Sequence, residues 1–365
     1  MNNFWQKLPP NFLAVAPMAD VTDAAFRRMI AKYSTHTKSD GAKAHADVMW
    51  TEFVAADGLV RATPEGKKKL MADLIYSEEE RPIVAQLFTR HPEHMEYAAA
   101  LCLELGFDGV DINMGCPAGA IIDQGCGAAM IKTPELAVEV IRAAKRGAKS
   151  DEGGIPVSVK TRVGYHHDQL EEWIPVLLKE KLAALTVHAR TRKDMSKVPA
   201  RWGRITRVVE LRNELSPATK IIGNGDVLTR ADGYAKIAES GCDGAMVGRA
   251  LFGNPWFFHP VNALPLRFKT LPTHGVALED ISASDTSDTK LEYVPIPERL
   301  RVMVEHSYLF CELLPHKNFS VMKKHYKAYV NGFPGAVPLR IKLMEQDSPE
   351  AVEAVVHAFL QSLPS

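Results

Sequence analysis

Short apolar runs recur along the first 250 residues, and most are followed by stretches whose apolar positions repeat every three to four residues. The runs are Leu13–Pro17, Val48–Glu52, Ile83–Phe88, Val110–Asn113, Val157–Thr161, Leu185–His188, Ile221–Asn224 and Ala245–Gly248. Their length and β-branched content suit buried strands. The periodic stretches, among them His94–Leu105, Pro134–Arg146, Leu170–Glu180 and Ala231–Ser240, predict amphipathic helices. Strands alternating with helices imply right-handed parallel crossovers. Eight such units predict an α/β fold of the (β/α)8 TIM-barrel type. A doubly wound open sheet is the alternative, but the turn after Pro17-Met18 lacks the GxGxxG fingerprint.

The pattern changes after Pro260. Ala283-Ser284-Asp285-Thr286-Ser287-Asp288-Thr289 is small and polar, with Pro272, Pro295 and Pro297 on either side, and reads as a linker or surface insertion. Helical periodicity resumes over Arg299–Leu314, Phe319–Asn331, Leu339–Met344 and Pro349–Ser362. The expected organisation is therefore a catalytic barrel over 1–260, a linker or insertion over 261–297 (with the insertion at 272–294), and a C-terminal all-helical domain over 298–365.

Composition narrows the picture. Lys+Arg and Asp+Glu balance at 44 each, so a nucleic-acid surface has to come from local clustering. One such cluster exists: from Arg299 to Lys342 there are eight Lys/Arg against two Glu. The five cysteines show no CxxC spacing, which argues against a structural zinc or a disulfide framework and for a reducing cytoplasm. The N-terminus has no signal-peptide pattern, and no apolar run approaches the ~18 residues that span a bilayer. A cytoplasmic chain without membrane or metal is expected, acting as a monomer.

Polar residues end nearly every predicted strand: Glu52, Gln86, Asn113 with Cys116, Lys160 with Arg162, His188 with Arg190, Asn224 with Asp226, and Gly248 with Arg249. In a (β/α)8 barrel these ends form the reactive face. Gly223-Asn224-Gly225-Asp226 and Gly248-Arg249 follow strands seven and eight, where such barrels hold phosphate. Gln86 offers donor and acceptor to an imide edge, Lys160 a cation for a ring that becomes anionic on reduction, and His188 a further donor. A monophosphate on a redox-active ring suggests FMN. Cys116, between Gly115 and Pro117 at a strand exit, is a candidate reactive thiol; the alternative is a small hydrophobe packed under a loop.

Seven ordered motifs carry a resemblance. They are APMADVTD (16–23), Thr51-Glu52, Ala85-Gln86-Leu87, DINMGCP (111–117), KTRVG (160–164), HARTR (188–192) and GNGD (223–226). Together they resemble the tRNA-dihydrouridine synthase family, most closely its bacterial B-type branch. Met322-Lys323-Lys324-His325, Tyr329, Gly332-Phe333-Pro334-Gly335 and Arg340 resemble that family's tRNA-binding domain more weakly. The resemblance implies an FMN enzyme that reduces particular tRNA uridines to 5,6-dihydrouridine with NADPH. Hydride would pass from reduced FMN N5 to C6 and a proton from Cys116 to C5. It implies flavin contacts from Pro17, Met18, Ala19, Gln86, Lys160 and His188, with Asn224, Gly225, Asp226, Gly248 and Arg249 at the phosphate. Asn113, Arg190 and Arg192 would orient the uracil, while Lys323, Lys324, His325 and Arg340 would bind tRNA. Two rival readings are an FMN barrel enzyme acting on a small molecule, and a tRNA-binding factor without catalysis.

Overall fold

The computed structural model describes residues 3–37, 43–260 and 294–363. All of the insertion expected at 272–294 except Val294, and most of the 261–297 linker, therefore lie outside the described residues. The strands are β1 (Phe12–Val15), β2 (His36–Thr37), β3 (Lys43–Ala44), β4 (Met49–Ala55), β5 (Ile83–Phe88), β6 (Gly109–Met114), β7 (Val157–Arg162), β8 (Ala184–His188), β9 (Lys220–Asn224) and β10 (Gly244–Val247). The helices are α1 (Ala24–Ser34), α2 (Ala56–Arg61), α3 (Pro64–Ala72), α4 (Pro92–Glu104), α5 (Gly119–Ile122), α6 (Pro134–Gly147), α7 (Leu170–Lys179), α8 (Gly203–Leu215), α9 (Arg230–Ser240), α10 (Ile296–Leu313), α11 (Lys323–Tyr329), α12 (Ala336–Met344) and α13 (Pro349–Gln361). Proline starts α4, α6 and α13, where its missing N–H has no intrahelical partner to lose.

Two compact units divide the chain. The first comprises residues 1–22, 47–228 and 232–248. It holds one eight-stranded sheet in the order β1-β10-β9-β8-β7-β6-β5-β4, every pairing parallel. Val15 N–H donates to the Val48 carbonyl at 3.0 Å and Asp47 N–H to the Leu13 carbonyl at 3.0 Å, which joins the two edge strands. The expected (β/α)8 barrel is the observed one. Inward positions of alternate residues, including Phe12, Ala14, Trp50, Val84, Ala184, Ile222 and Met246, form one buried cluster with Trp5. Trp5 sits 5.8 Å from the Trp50 ring and 6.1 Å from the Phe12 ring, so an N-terminal 3-10 turn plugs the barrel floor.

Register brings the strand-end residues into rows. Gln86 pairs with Asp111, Asn113 with Lys160, Arg162 with His188, and His188 with Asn224. Parallel strands leave their C-terminal ends on one face, so the row of polar ends is a consequence of topology.

The second unit comprises residues 23–46, 229–231 and 249–365. It is helical, as expected of 298–365, but it also takes in α1 and the β2–β3 hairpin. Ala25, Met29 and Tyr33 of α1 share a core with Val302, Met303, Tyr326 and Tyr329. Glu305 accepts from the Tyr33 hydroxyl at 2.6 Å and from Lys32 Nζ at 2.6 Å. Among the described residues no helix is long and apolar enough to cross a membrane.

Candidate active site

The loop that leaves β6 is held from several sides. Asn113 Oδ1 accepts the backbone N–H groups of Gly115 (3.1 Å) and Cys116 (2.9 Å). Arg162 Nε donates to the Gly115 carbonyl at 2.7 Å, and Ala128 N–H to the Cys116 carbonyl at 3.0 Å. Gly127 has φ +61, and a Cβ there would come within 2.8 Å of the Cys116 carbonyl oxygen, so only glycine fits. Losing Asn113 would leave two backbone donors unpaired at about 1–3 kcal/mol each. The loop presents a half-exposed thiol, Cys116. Cys126, the next cysteine in the chain, is buried, and burial pushes its thiol up to about 11.

Lys160 stands beside Asn113 in the ladder, and its Nζ donates to Asn224 Oδ1 at 3.2 Å. Asn224 Nδ2 in turn donates to the Met246 carbonyl at 2.8 Å, which fixes the amide's orientation. Burial first, then the Arg162 guanidinium, pushes the Lys160 ammonium down to about 8. Burial also pushes Arg162 down, to about 10.

His188, half-buried, lies against Arg190. Arg190 Nη1 is 3.1 Å from His188 Nε2. A guanidinium can only donate, so Nε2 accepts and the neutral ring carries its proton on Nδ1. Arg190 also donates to the Val198 carbonyl at 2.6 Å and to Asp226 Oδ2 at 2.5 Å. Asp226 Oδ2 additionally accepts Ala200 N–H at 2.8 Å. Gly225 has φ +122, and a Cβ there would stand 2.7 Å from Ala200 Cβ and 3.1 Å from the His188 ring. The β9 exit can therefore hold only bare backbone at that point. Gly248 ends the first unit and Arg249, itself exposed, follows it in the chain at the start of a 3-10 turn. On β1's exit, Met18 N–H donates to Thr22 Oγ1 at 2.9 Å, and Glu52 Oε1 accepts the Asp20 N–H, so Pro17, Met18 and Ala19 run along a pinned segment.

Several expected site residues take other positions. Gln86 is fully buried with both polar ends engaged, Nε2 on Asp111 at 2.6 Å and Oε1 on Asn113 Nδ2 at 3.0 Å. It supports the mouth from below instead of lining it. Arg190 is only 2 % exposed and fully committed to its neighbours, so it braces His188 and Asp226 and is not an open contact for a base. Arg192 is half-buried, 5.3 Å over the Tyr165 ring. In the helical unit, His325 is fully buried beside Phe26 and His306, so it offers no charge to an anionic partner. Lys323 pairs with Asp347 at 3.3 Å, and Arg340 Nη1 lies 3.4 Å from the Val330 carbonyl. Lys324 is half-buried, and Lys327 and Lys342 are exposed. Missing from the expected set were Asp111 and Arg162 in their bracing roles; both sit inside quoted motifs, but strand alternation hides which buried polar side chains meet.

The sequence pattern of the dihydrouridine synthase (Dus) family matches residues 14–363. The chain is 35% identical over 358 residues to a protein of Bacillus subtilis (strain 168) named probable tRNA-dihydrouridine synthase 2, covering 98% of this chain and 96% of that one. It is 34% identical over 358 residues to the probable tRNA-dihydrouridine synthase of Staphylococcus aureus (strain COL), covering 98% of this chain and 95% of that one. This chain belongs to the dihydrouridine synthase family. A solved complex of 2-naphthoyl-CoA reductase shares the fold of this Dus chain, with a TM-score of 0.51 and 11% identity over 88% of this chain and 67% of that one. In this Dus member the motif residues Asn113, Cys116, Lys160, His188 and Asn224 converge on one barrel mouth, braced by Arg162 and Arg190.

Proposed function

We propose that this chain reduces uridines of tRNA to 5,6-dihydrouridine, with FMN as cofactor and NADPH as reductant. The observation that carries the reading is the half-exposed Cys116 thiol, held on a braced loop beside the Lys160 ammonium, in a chain of this family. The residues present fit FMN. Gly225 leaves bare backbone where a phosphate needs close N–H approach. Lys160 and His188 supply a cation and an N–H donor for a planar ring. Pro17, Met18 and Ala19 would contact it through backbone, and the backbone of Asn224, Asp226 and Gly248 would complete the phosphate end, because the Asn224 amide and the Asp226 carboxylate are already engaged. When bound and reduced by NADPH, FMN supplies the hydride for uridine C6.

The chain's own residues do the rest. Cys116 Sγ holds the proton that passes to C5, on a loop whose Gly115 and Cys116 N–H groups are fixed by Asn113. A positioned acid of this kind is worth about 10²–10⁴ in rate. Lys160 holds positive charge where negative charge develops, and its reduced basicity lets that charge be removed within an accessible pH range. Arg162 and Arg190 hold the loops after β6, β8 and β9 in register. Lys324, Lys327, Lys342 and Arg340, with Lys323 once Asp347 is displaced, would meet tRNA phosphates in the helical unit; Arg192 would face the nucleotide.

The test is reconstitution: purified protein, FMN, NADPH and an unmodified tRNA transcript, with the product read as a two-dalton gain at defined uridines. Such gains are expected. Tight tRNA binding without any gain would favour a binding factor, and reduction of a free pyrimidine but not tRNA would favour a small-molecule enzyme.

A further inference from the structure

Beneath the mouth lies a carboxylate that the proposed chemistry does not use. Asp111 is fully buried at the middle of β6. Its Oδ2 accepts Gln86 Nε2 at 2.6 Å and its Oδ1 accepts Ser158 Oγ at 2.6 Å. From Gln86 the hydrogen bonds continue outward: Oε1 accepts Asn113 Nδ2 at 3.0 Å, and Asn113 Oδ1 accepts the N–H groups of Gly115 and Cys116. We propose that Asp111 is a positioning residue whose carboxylate sets the direction of this relay and thereby the placement of the Cys116 loop.

Donors and acceptors fix the direction of the relay. An amide side chain keeps nearly the same shape when turned end for end, so Gln86 and Asn113 each have two orientations that fill the same space. What separates them is the polarity of their neighbours. An ionised carboxylate accepts only, so it draws the Gln86 NH2 inward and turns Oε1 outward. Oε1 then draws Asn113 Nδ2, which leaves Asn113 Oδ1 facing the loop. The loop's two N–H groups need an acceptor there. Every link donates toward Asp111, and none can be reversed alone without setting two acceptors or two donors against each other. Burial pushes the Asp111 carboxyl up to about 6, with Ser158, Gln86 and Lys160 opposing, so the charge is present at neutral pH. A buried chain of this kind is costly when half satisfied, which makes its direction a strong constraint.

The importance of the relay for turnover rests on the reading of Cys116 as the acid; the relay itself does not. A polarity reversal separates the two. Asn113→Asp sets an acceptor against Gln86 Oε1 and, if Gln86 turns, sets Oε1 against Asp111. Adding Asp111→Asn supplies a donor at the inner end. The amide introduced there donates to Gln86, Gln86 turns and donates to the carboxylate introduced at the outer end, and that carboxylate still accepts the loop N–H groups. The introduced amide also keeps an oxygen for Ser158. Two readouts need neither tRNA nor flavin: thermal melting, and the rate at which iodoacetamide alkylates Cys116, mapped by peptide mass. N113D should melt earlier and alkylate Cys116 about tenfold faster, the factor matching about 1.4 kcal/mol of lost bracing. D111N/N113D should recover most of both. Additive losses in the double variant, or an N113D that behaves as wild type, would overturn the proposal. If N113D does not accumulate, a double variant that folds supports the relay and one that also fails overturns it. Recovered melting and alkylation without uridine reduction in wild type or any variant would leave the relay standing and sink the functional reading.

Discussion

Burial and the neighbouring Arg162 push the Lys160 ammonium down to about 8, while the Asp111 carboxylate acts the other way. The cation is lost as pH rises through that value, so any step that uses it should slow above about pH 8. Oxidation of the reduced, FMN-loaded enzyme by tRNA in a single turnover should show this alkaline fall, and Lys160→Arg should move it to higher pH because a guanidinium stays charged. A fall that stays in place in Lys160→Arg would assign the titration to another group. The same scale shows where sequence reasoning stopped. Lys323-Lys324-His325 reads as a basic run, yet Met322, His325, Tyr326 and Tyr329 are all buried, at the i, i+3, i+4, i+7 spacing of an inward helical stripe. The periodicity was present in the sequence and the charge of the neighbours masked it. Gln86 and Arg190 were legible as strand-end groups, but which of them would be used up by Asp111 or Asp226 depends on side chains that meet across strands.

The eight strands were legible because a parallel sheet covered on both faces makes each strand a nearly unbroken apolar run. Helix α1 was not, because its buried positions include Arg27 and Ser34 and blur the amphipathic stripe. Its core partners lie in α10 and α11, more than 260 residues away in the chain, a pairing no local pattern carries. That core holds a buried imidazole pair, His306 and His325, with ring centroids 4.8 Å apart. Among the described residues, both His325 nitrogens and His306 Nε2 lack hydrogen-bond partners, and Phe26, Phe252 and Tyr329 pack around the two rings. Burial pushes His306 down to about 3 and His325 well below its ordinary value; Glu305 opposes at the first, and His306 and Lys324 reinforce at the second. The unfolded chain binds protons at these rings below about pH 6.5 and the folded chain does not. Stability should therefore fall as pH drops from about 6.5 toward 3, by up to about 1.4 kcal/mol per pH unit for each ring. Urea unfolding at pH 7.5 and 5.5 checks this: His325→Leu should flatten the acid slope, and an unchanged slope would contradict the assignment.

At the scale of the molecule, equal numbers of acidic and basic residues, 44 each, mean that no net field draws tRNA to the chain. Affinity has to come from clusters such as Lys324, Lys327 and Lys342. Replacing Lys324 and Lys327 with glutamine should weaken tRNA binding alike for different sequences and lower the salt slope by about one unit per lost phosphate contact, with FMN affinity unchanged. An unaltered slope would move the tRNA surface elsewhere. The central claim joins both units to one reaction: tRNA brings a uridine to a barrel mouth where Cys116 holds the proton for C5. Its most direct measurement is single-turnover oxidation of the NADPH-reduced, FMN-loaded enzyme by unmodified tRNA, in Cys116→Ala and Cys126→Ala variants side by side. The account predicts that Cys116→Ala binds FMN and tRNA and accepts reduction by NADPH, yet is oxidised by tRNA about 10²–10⁴-fold more slowly, while Cys126→Ala keeps the wild-type rate. A Cys116→Ala enzyme that turns over at the wild-type rate, or a Cys126→Ala enzyme that is the inactive one, would contradict it.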